Sequence, residues 1–261
     1  MPTATIGELL KTWRARRSCS QMSLALDAGV STRHLSFVET GRSKPSPELV
    51  LSLADHLDVP LRDRNHMLLA AGYAPRYSNH PLDAEEAEMI RHALERILTA
   101  HDPFPGLVLD RQWNIVLAND AAQRLVALLP PELQAEPVNL FRASLHPDGL
   151  ARFTTNFEQW CPYLRRQLDR LVFQFGDESL AELSREIEAY SNVVALASGH
   201  GGAAEEDLVI TCELDLFGQD LSLFTTLTTF GSPRDVTLDE LLIELFFPAD
   251  ATTEAALRAA G

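Results

Sequence analysis

Apolar residues in the first part of the chain recur at three- and four-residue spacing, and glycines and serines interrupt them at regular places. "IGELLKTWRARR" sets Ile6, Leu9, Leu10 and Trp13 on one helical face, with Lys11, Arg14, Arg16 and Arg17 mostly around the other. Ser20 stands where an N-cap belongs, and "QMSLALDAG" follows as a second helix ending at Gly29. Its Ala25 is small enough to let another helix approach closely. Gly29 suits a turn of positive φ, and Val30 follows as an apolar plug. Ser31 caps a third helix, "TRHLSFVET", whose Leu35 and Val38 bury together before Gly41 ends it. After the loop "RSKPS", Ser46 and Pro47 start "PELVLSLADHL", with a stripe of Leu49, Val50, Leu53 and Leu57. "LRDRNHMLLAAGY" closes a five-helix set. The pattern predicts one all-α domain over residues 1–76.

The pattern then changes. Residues 72–82 carry glycine, two prolines and Ser-Asn without apolar periodicity, so residues 77–101 read as a linker and a connecting helix. Asp83 is the expected cap of that helix, Glu85 and Glu86 suit its first turn, and Ile90, Ala93, Leu94 and Ile97 form the expected buried stripe. "FPGLVLDRQWNIVLANDAAQRLV" reads as a strand (Leu107 to Leu109), a turn, a second strand (Trp113 to Leu117) and a helix capped at Asn119-Asp120. Residues 139–197 read as mostly helical. Two further strands flank Gly218-Gln219-Asp220, and "DELLIELFFPAD" fits either a strand or a short helix. Strands and helices alternate without a βαβ rhythm, so residues 102–261 are predicted to form an α+β domain with an antiparallel sheet and extra helices.

Composition narrows the classes. The 261 residues are 46% hydrophobic and 23% charged, which suits a packed globular protein. No apolar run reaches membrane-spanning length, and "MPTATIGELLKTWRARR" lacks a basic region followed by an apolar stretch. Cys19, Cys161 and Cys212 are far apart, which suits reduced structural thiols. The expectation is a cytoplasmic protein without membrane association. The net charge of −15 is unevenly spread: residues 1–76 hold ten Lys/Arg against seven Asp/Glu, and the remaining residues hold twelve against thirty. Only the N-terminal domain is a plausible surface for a polyanion.

Two helices joined by a glycine-containing turn, inside a five-helix unit, form the helix-turn-helix pattern. "SQMSLALDAGVSTRHLSFVETGRSKPS" resembles the Xre-type, phage-repressor-like family through Ser20-Gln21, Leu24-Ala25, Gly29-Val30-Ser31, Glu39, Gly41 and Pro45-Ser46. The resemblance implies that Arg14, seven residues before Gln21, pairs with Glu39. It also implies that the third helix enters the major groove and meets base edges with its N-terminal residues. Arg33 has the donor fork that matches O6 and N7 of guanine. Thr32 can bond a base edge or touch a thymine methyl. His34 reaches a base or a phosphate. Gln21, Arg42, Ser43 and Lys44 are placed to hold the backbone. Phe37 stands where such repressors often carry a polar reader, and either touches a thymine methyl or packs. With so few basic contacts, sequence-specific binding of double-stranded DNA is expected to need a homodimer on a two-fold symmetric site.

The opening hairpin and helix of the second domain resemble those of a PAS-type sensor. With "MLLAAGYAP", "GLVLDRQWNIVLAN", "NLFRASLHPDG" and Trp160, the chain resembles the MmyB-like regulators, in which an Xre-type domain precedes a PAS-like ligand-binding domain. That resemblance implies a DNA-binding transcription regulator with a small apolar, fatty-acid-like ligand. Candidate ligand-binding residues are Phe141, Phe153, Phe157, Trp160, Leu164, Phe224 and Leu227, and Arg165 and Arg166 are candidates for an acid head group. An alternative is a non-catalytic adaptor whose C-terminal domain binds a protein. The histidines show no metal-ligand spacing, Ser198 and His200 lack a nucleophile elbow, and no phosphate-cradling glycine loop is visible. No catalytic residue, metal or required cofactor is expected.

Overall fold

The computed structural model describes residues 4–198, 208–216 and 218–260. It divides into two compact units, Met1–His80 with Ser232–Asp239, and Pro81–Gly231 with Glu240–Gly261.

The first unit holds five helices: α1 (Ile6–Arg16), α2 (Gln21–Asp27), α3 (Thr32–Glu39), α4 (Pro47–His56) and α5 (Leu61–Ala70). Four of them start on a side-chain cap. Thr5 and Glu8 form a capping box on α1, while Ser20, Ser31 and Ser46 accept from the backbone N–H three residues ahead on α2, α3 and α4. Each such cap is worth about 1 kcal/mol against alanine. Gly29 and Gly41 take φ of 66° and 74°, the left-handed turns that end α2 and α3. Leu10, Trp13, Leu24, Leu35, Val38 and Leu53 are buried together at the centre, each contributing roughly 1.5–3 kcal/mol of transfer energy. α1 crosses α3 very closely. A Cβ on Gly7 would stand 2.4 Å from the Glu39 carbonyl oxygen, so only glycine fits that crossing.

α5 follows Pro60 and has no local side-chain cap. Its Leu61 N–H instead donates to Asp239 Oδ2 at 2.9 Å, across 178 residues of sequence. The stretch Ser232–Asp239 is fastened to this unit at several points. Val236 N–H donates to the Ser78 carbonyl at 2.8 Å, the Thr237 hydroxyl donates to the His80 carbonyl at 2.7 Å, and His80 Nδ1 lies 2.9 Å from Asp235 Oδ2. Burial pushes the Asp235 carboxyl up, but hydrogen bonds from Ser78, His80 and Thr237 outweigh it and hold the group below its ordinary range.

The second unit opens with α6 (Glu88–His101), then β1 (Gly106–Leu109), β2 (Ile115–Ala118), α7 (Asp120–Val126), α8 (Leu140–Leu145), α9 (Phe157–Phe175), α10 (Glu178–Glu188) and α11 (Ser191–Ser198). β3 (Cys212–Asp215), β4 (Asp220–Thr229), α12 (Val236–Glu240), β5 (Leu242–Pro248) and α13 (Ala251–Ala260) complete the chain, with Ser232–Asp239 lying in the first unit. Five antiparallel strands run in the order β2-β1-β5-β4-β3, which puts the late strand β5 at the middle. The unit is the expected α+β fold, an antiparallel sheet with extra helices. Asn119 fastens its opening: Oδ1 accepts from the N–H groups of Gly106 and Ala122, and Nδ2 donates to the Phe104 carbonyl at 2.8 Å. Leu109, Phe141, Leu145, Leu168 and Leu180 form the innermost core.

Several expectations change. The first unit ends at His80, not residue 76, and gains Ser232–Asp239, while the helix expected within residues 77–101 packs on β1 in the second unit. That helix starts at Glu88 after a short 3-10 turn and is not capped by Asp83. Its buried positions are Leu94 and Leu98, while Ala93 and Ile97 are exposed, because the face that meets β1 is rotated by one residue. Trp113 stands in the turn before β2, with φ 63°. "DELLIELFFPAD" is both alternatives in succession, the end of α12 and then β5.

Candidate DNA-reading helix and ligand cavity

In the first unit, the turn between α2 and α3 is closed by the Val30 N–H donating to the Ala25 carbonyl at 2.9 Å. Leu35 and Val38 point into the core, which leaves the opposite side and the front of α3 outward. Thr32 and Arg33 are exposed there, His34 and Phe37 are half-buried, and Ser31 Oγ accepts from the His34 N–H at 3.1 Å. The Arg33 guanidinium lies 5.3 Å from the centre of the Phe37 ring and that of Arg42 lies 5.9 Å from it. Phe37 is thus a platform for two guanidinium groups, worth about 0.5–1 kcal/mol each at an exposed site. This favours packing in the choice left open by its sequence position. Among the described residues no hydrogen bond or ion pair holds the Arg33 guanidinium. In the loop that follows, Ser43 is half-buried and Arg42 and Lys44 are exposed, with Lys44 Nζ 4.4 Å from the Tyr73 ring centre.

Behind the outward face, Arg14 Nε donates to Glu39 Oε1 at 2.6 Å, and a second guanidinium nitrogen donates to Oε2 at 3.0 Å. The Glu39 side chain is 1% exposed and that of Arg14 is 17%. Arg14 also donates to the Cys19 carbonyl, and its pKa is raised, chiefly by the hydrogen bonds to Glu39. Gln21, expected to contact the DNA backbone, also has an internal partner. Its amide donates to Glu39 Oε2 at 2.9 Å and so joins this network, while the residue stays half-buried.

In the second unit, a cavity of about 50 Å³ lies between the sheet and the helices. Leu107, Ile115 and Leu223 form its sheet side, and Leu140, Trp160 and Leu164 its helical side. Of the seven candidate ligand residues, Trp160 and Leu164 line this cavity and the other five do not. Phe141 is wholly buried and stacked on Trp113 at 4.5 Å. Phe153 and Phe157 pack, half-buried, against the main core. Phe224 falls on the opposite side of β4 from Leu223 and stacks on Phe247 at 5.5 Å. Leu227, near the end of the same strand, is 39% exposed. Arg165 is paired with Glu188 at 2.7 Å. His200 and the Ser198 side chain lie outside the described residues.

One acidic residue, absent from the candidates above, also lines the cavity. Glu244, on the central strand β5, is 3% exposed and lines the cavity. Burial pushes its pKa up to about 7, against a smaller lowering by the hydrogen bond from Thr225. The signal was present in "LLIELFFP": a single charge at alternate spacing with Leu242 and Phe246, on the strand face that is otherwise apolar. Cys212 also lines the cavity, and its thiol pKa is raised by burial. Cys161 is buried and pushed up to about 11 for the same reason, which suits a packed thiol. Among the described residues no cluster of three or more His, Cys, Asp or Glu could hold a metal, and no helix is long and apolar enough to cross a membrane.

A helix-turn-helix unit joined to an α+β unit with an internal cavity defines a DNA-binding regulator with a sensor domain. Comparison with known families agrees: residues 5–67 match a helix-turn-helix domain, and residues 90–260 match the MmyB-like transcription regulator ligand binding domain. Because the second match covers more than half of the chain, the protein belongs to the MmyB-like transcription regulator family. No curated protein matches it. The PAS domain of Bordetella pertussis BvgS aligns over 68% of this chain and 96% of its own, with 16% identity and a TM-score of 0.28, a likeness too slight to carry argument.

Proposed function

We propose that the protein binds a two-fold symmetric DNA operator as a cytoplasmic homodimer and that occupancy of the sensor cavity by a small apolar ligand changes its DNA affinity. The observation that carries the first part is the exposed, capped front of α3, with Arg33 laid over Phe37 and aimed away from the core. An α-helix fits the major groove, and a guanidinium there donates two parallel bonds to guanine. Thr32 and His34 lie beside it as further readers, and Arg42, Ser43 and Lys44 as backbone contacts. Arg14, Gln21 and Glu39 contribute indirectly, by fixing the end of α3 against α1 and α2.

The cavity between sheet and helices supports the sensor half. A fatty-acid-like chain is the family expectation. At about 50 Å³ the cavity is well below the roughly 300 Å³ of common ligand sites, so such a chain would have to open it. A ligand shifts DNA binding only by its differential affinity for the two states of the protein.

The DNA half is tested by titrating labelled duplex DNA with the intact chain at several salt concentrations. The reading predicts binding whose log affinity falls linearly with log salt. Undetectable binding at low salt would contradict it.

A further inference from the structure

Glu244 has a feature that packing alone does not account for. Its Oε2 is fully buried and has no hydrogen-bond partner among the described residues, while the Thr225 hydroxyl bonds to the same carboxyl group. Glu244 stands on the middle strand, opposite Leu107 on one side and Leu227 on the other, and lines a cavity shared with Leu107, Leu140, Trp160, Leu164 and Leu223. A buried acceptor without a donor is costly, and native structures rarely retain one without use. Leucine or methionine would fill this position at no such cost.

Walls that are apolar apart from the Ser144 and Thr154 hydroxyls, with one unfilled acceptor, suit a complementary molecule: an apolar body ending in a hydrogen-bond donor. We propose that the sensor cavity selects a small apolar alcohol or amine, whose donor group bonds Glu244 Oε2, and discriminates against a carboxylate of the same length. A carboxylate head would bring a second negative charge against Glu244 without supplying a donor. The inference rests on the cavity being the sensor site and names the head group that the site accepts. It also runs against the fatty-acid expectation, because among the described residues the one charged side chain lining the cavity is an acid. The cavity volume of about 50 Å³ favours short bodies. Burial pushes the Glu244 pKa up to about 7, so the carboxyl is an ionised acceptor above that pH and the discrimination is expected there.

The test is isothermal titration of the full chain at pH 8 with three six-carbon probes: 1-hexanol, hexylamine and hexanoate. The expected result is that hexanol or hexylamine binds at least ~10-fold more tightly than hexanoate, the ratio a single well-placed hydrogen bond to a charged acceptor provides. Glu244→Gln, which keeps shape and supplies an amide donor, is expected to reduce that ratio to within ~3-fold. The wild-type ranking decides the matter even if the variant does not fold. Hexanoate binding as well as hexanol and hexylamine would overturn the proposal while leaving the cavity as the sensor site. An unchanged ratio in folded Glu244→Gln would overturn the role of Glu244. Failure of all three probes to bind would overturn both the proposal and the sensor reading beneath it.

Discussion

Arg14 and Glu39 form a two-bond ion pair that joins the end of α1 to the end of α3, with Gln21 from α2 on the same carboxylate. Three helices thus converge on one buried charge. Removing the arginine would leave that carboxylate buried with only an amide donor. Arg14→Ala is expected to destabilise the first unit by about 3–5 kcal/mol. Arg14→Lys should recover only part of the loss, since an ammonium cannot make the parallel pair. Urea unfolding followed by helical circular dichroism measures this, and a loss below about 1 kcal/mol in Arg14→Ala would contradict the bridging role.

Gly7 lies against the same residue from the other side, its position for a Cβ overlapping the Glu39 carbonyl oxygen. Gly7→Ala raises helix propensity yet forces α1 away from α3. The expected net effect is a destabilisation of about 1–3 kcal/mol, the usual range for overpacking. A variant more stable than wild type in the same unfolding experiment would show that the crossing relaxes freely.

The two kinds of DNA contact should separate cleanly. Arg33→Ala is expected to remove discrimination worth roughly 1–3 kcal/mol at one base position. Lys44→Ala should weaken binding to all sequences alike and reduce the salt slope by about 1. Phe37→Ala leaves every charge in place but removes the platform under Arg33 and Arg42, and should reduce specificity in the direction of Arg33→Ala. Anisotropy titrations with matched and mismatched duplexes distinguish these outcomes. Equal losses on every sequence for Arg33→Ala and Lys44→Ala would contradict the assigned roles.

Glu244 makes a pH-dependent contribution whose sign follows from its environment. Its pKa rises from the ordinary 4.5 to about 7 on folding, so between those values the folded protein holds more protons than the unfolded one. Stability from this group is therefore present below about pH 4.5 and is lost as pH rises toward 7, by about 3 kcal/mol at most. Glu244→Gln does not titrate. The difference in unfolding free energy between wild type and Glu244→Gln should move in favour of the variant from pH 5 to pH 8. A difference that stays flat across that range would mean that the carboxyl is solvated.

The first unit was legible from sequence because its signals are local. Serine caps, left-handed glycines and apolar spacing fix five helices within ten or so residues of each signal. The pairing of Arg14 with Glu39 was reachable through the family resemblance, because the residues stand at matching positions of the motif. What was not legible depends on distant chain. Asp239 caps α5 from 178 residues away, and nothing near Pro60 announces it. Gly7 is needed only because another helix's backbone arrives there. In the second unit, aromatic residues were poor guides to the cavity. Burial of Phe141 and the strand alternation that turns Phe224 away depend on the closed sheet, whereas the one unexpected charge in an apolar strand was the more informative residue.

Selection of bound duplexes from a random DNA pool by the intact protein tests the central claim most directly. The account predicts an enriched inverted repeat with half-sites about one helical turn apart, containing a guanine whose preference disappears in Arg33→Ala. Recovery of no enriched sequence, or of the same sequence with undiminished guanine preference in Arg33→Ala, would contradict it.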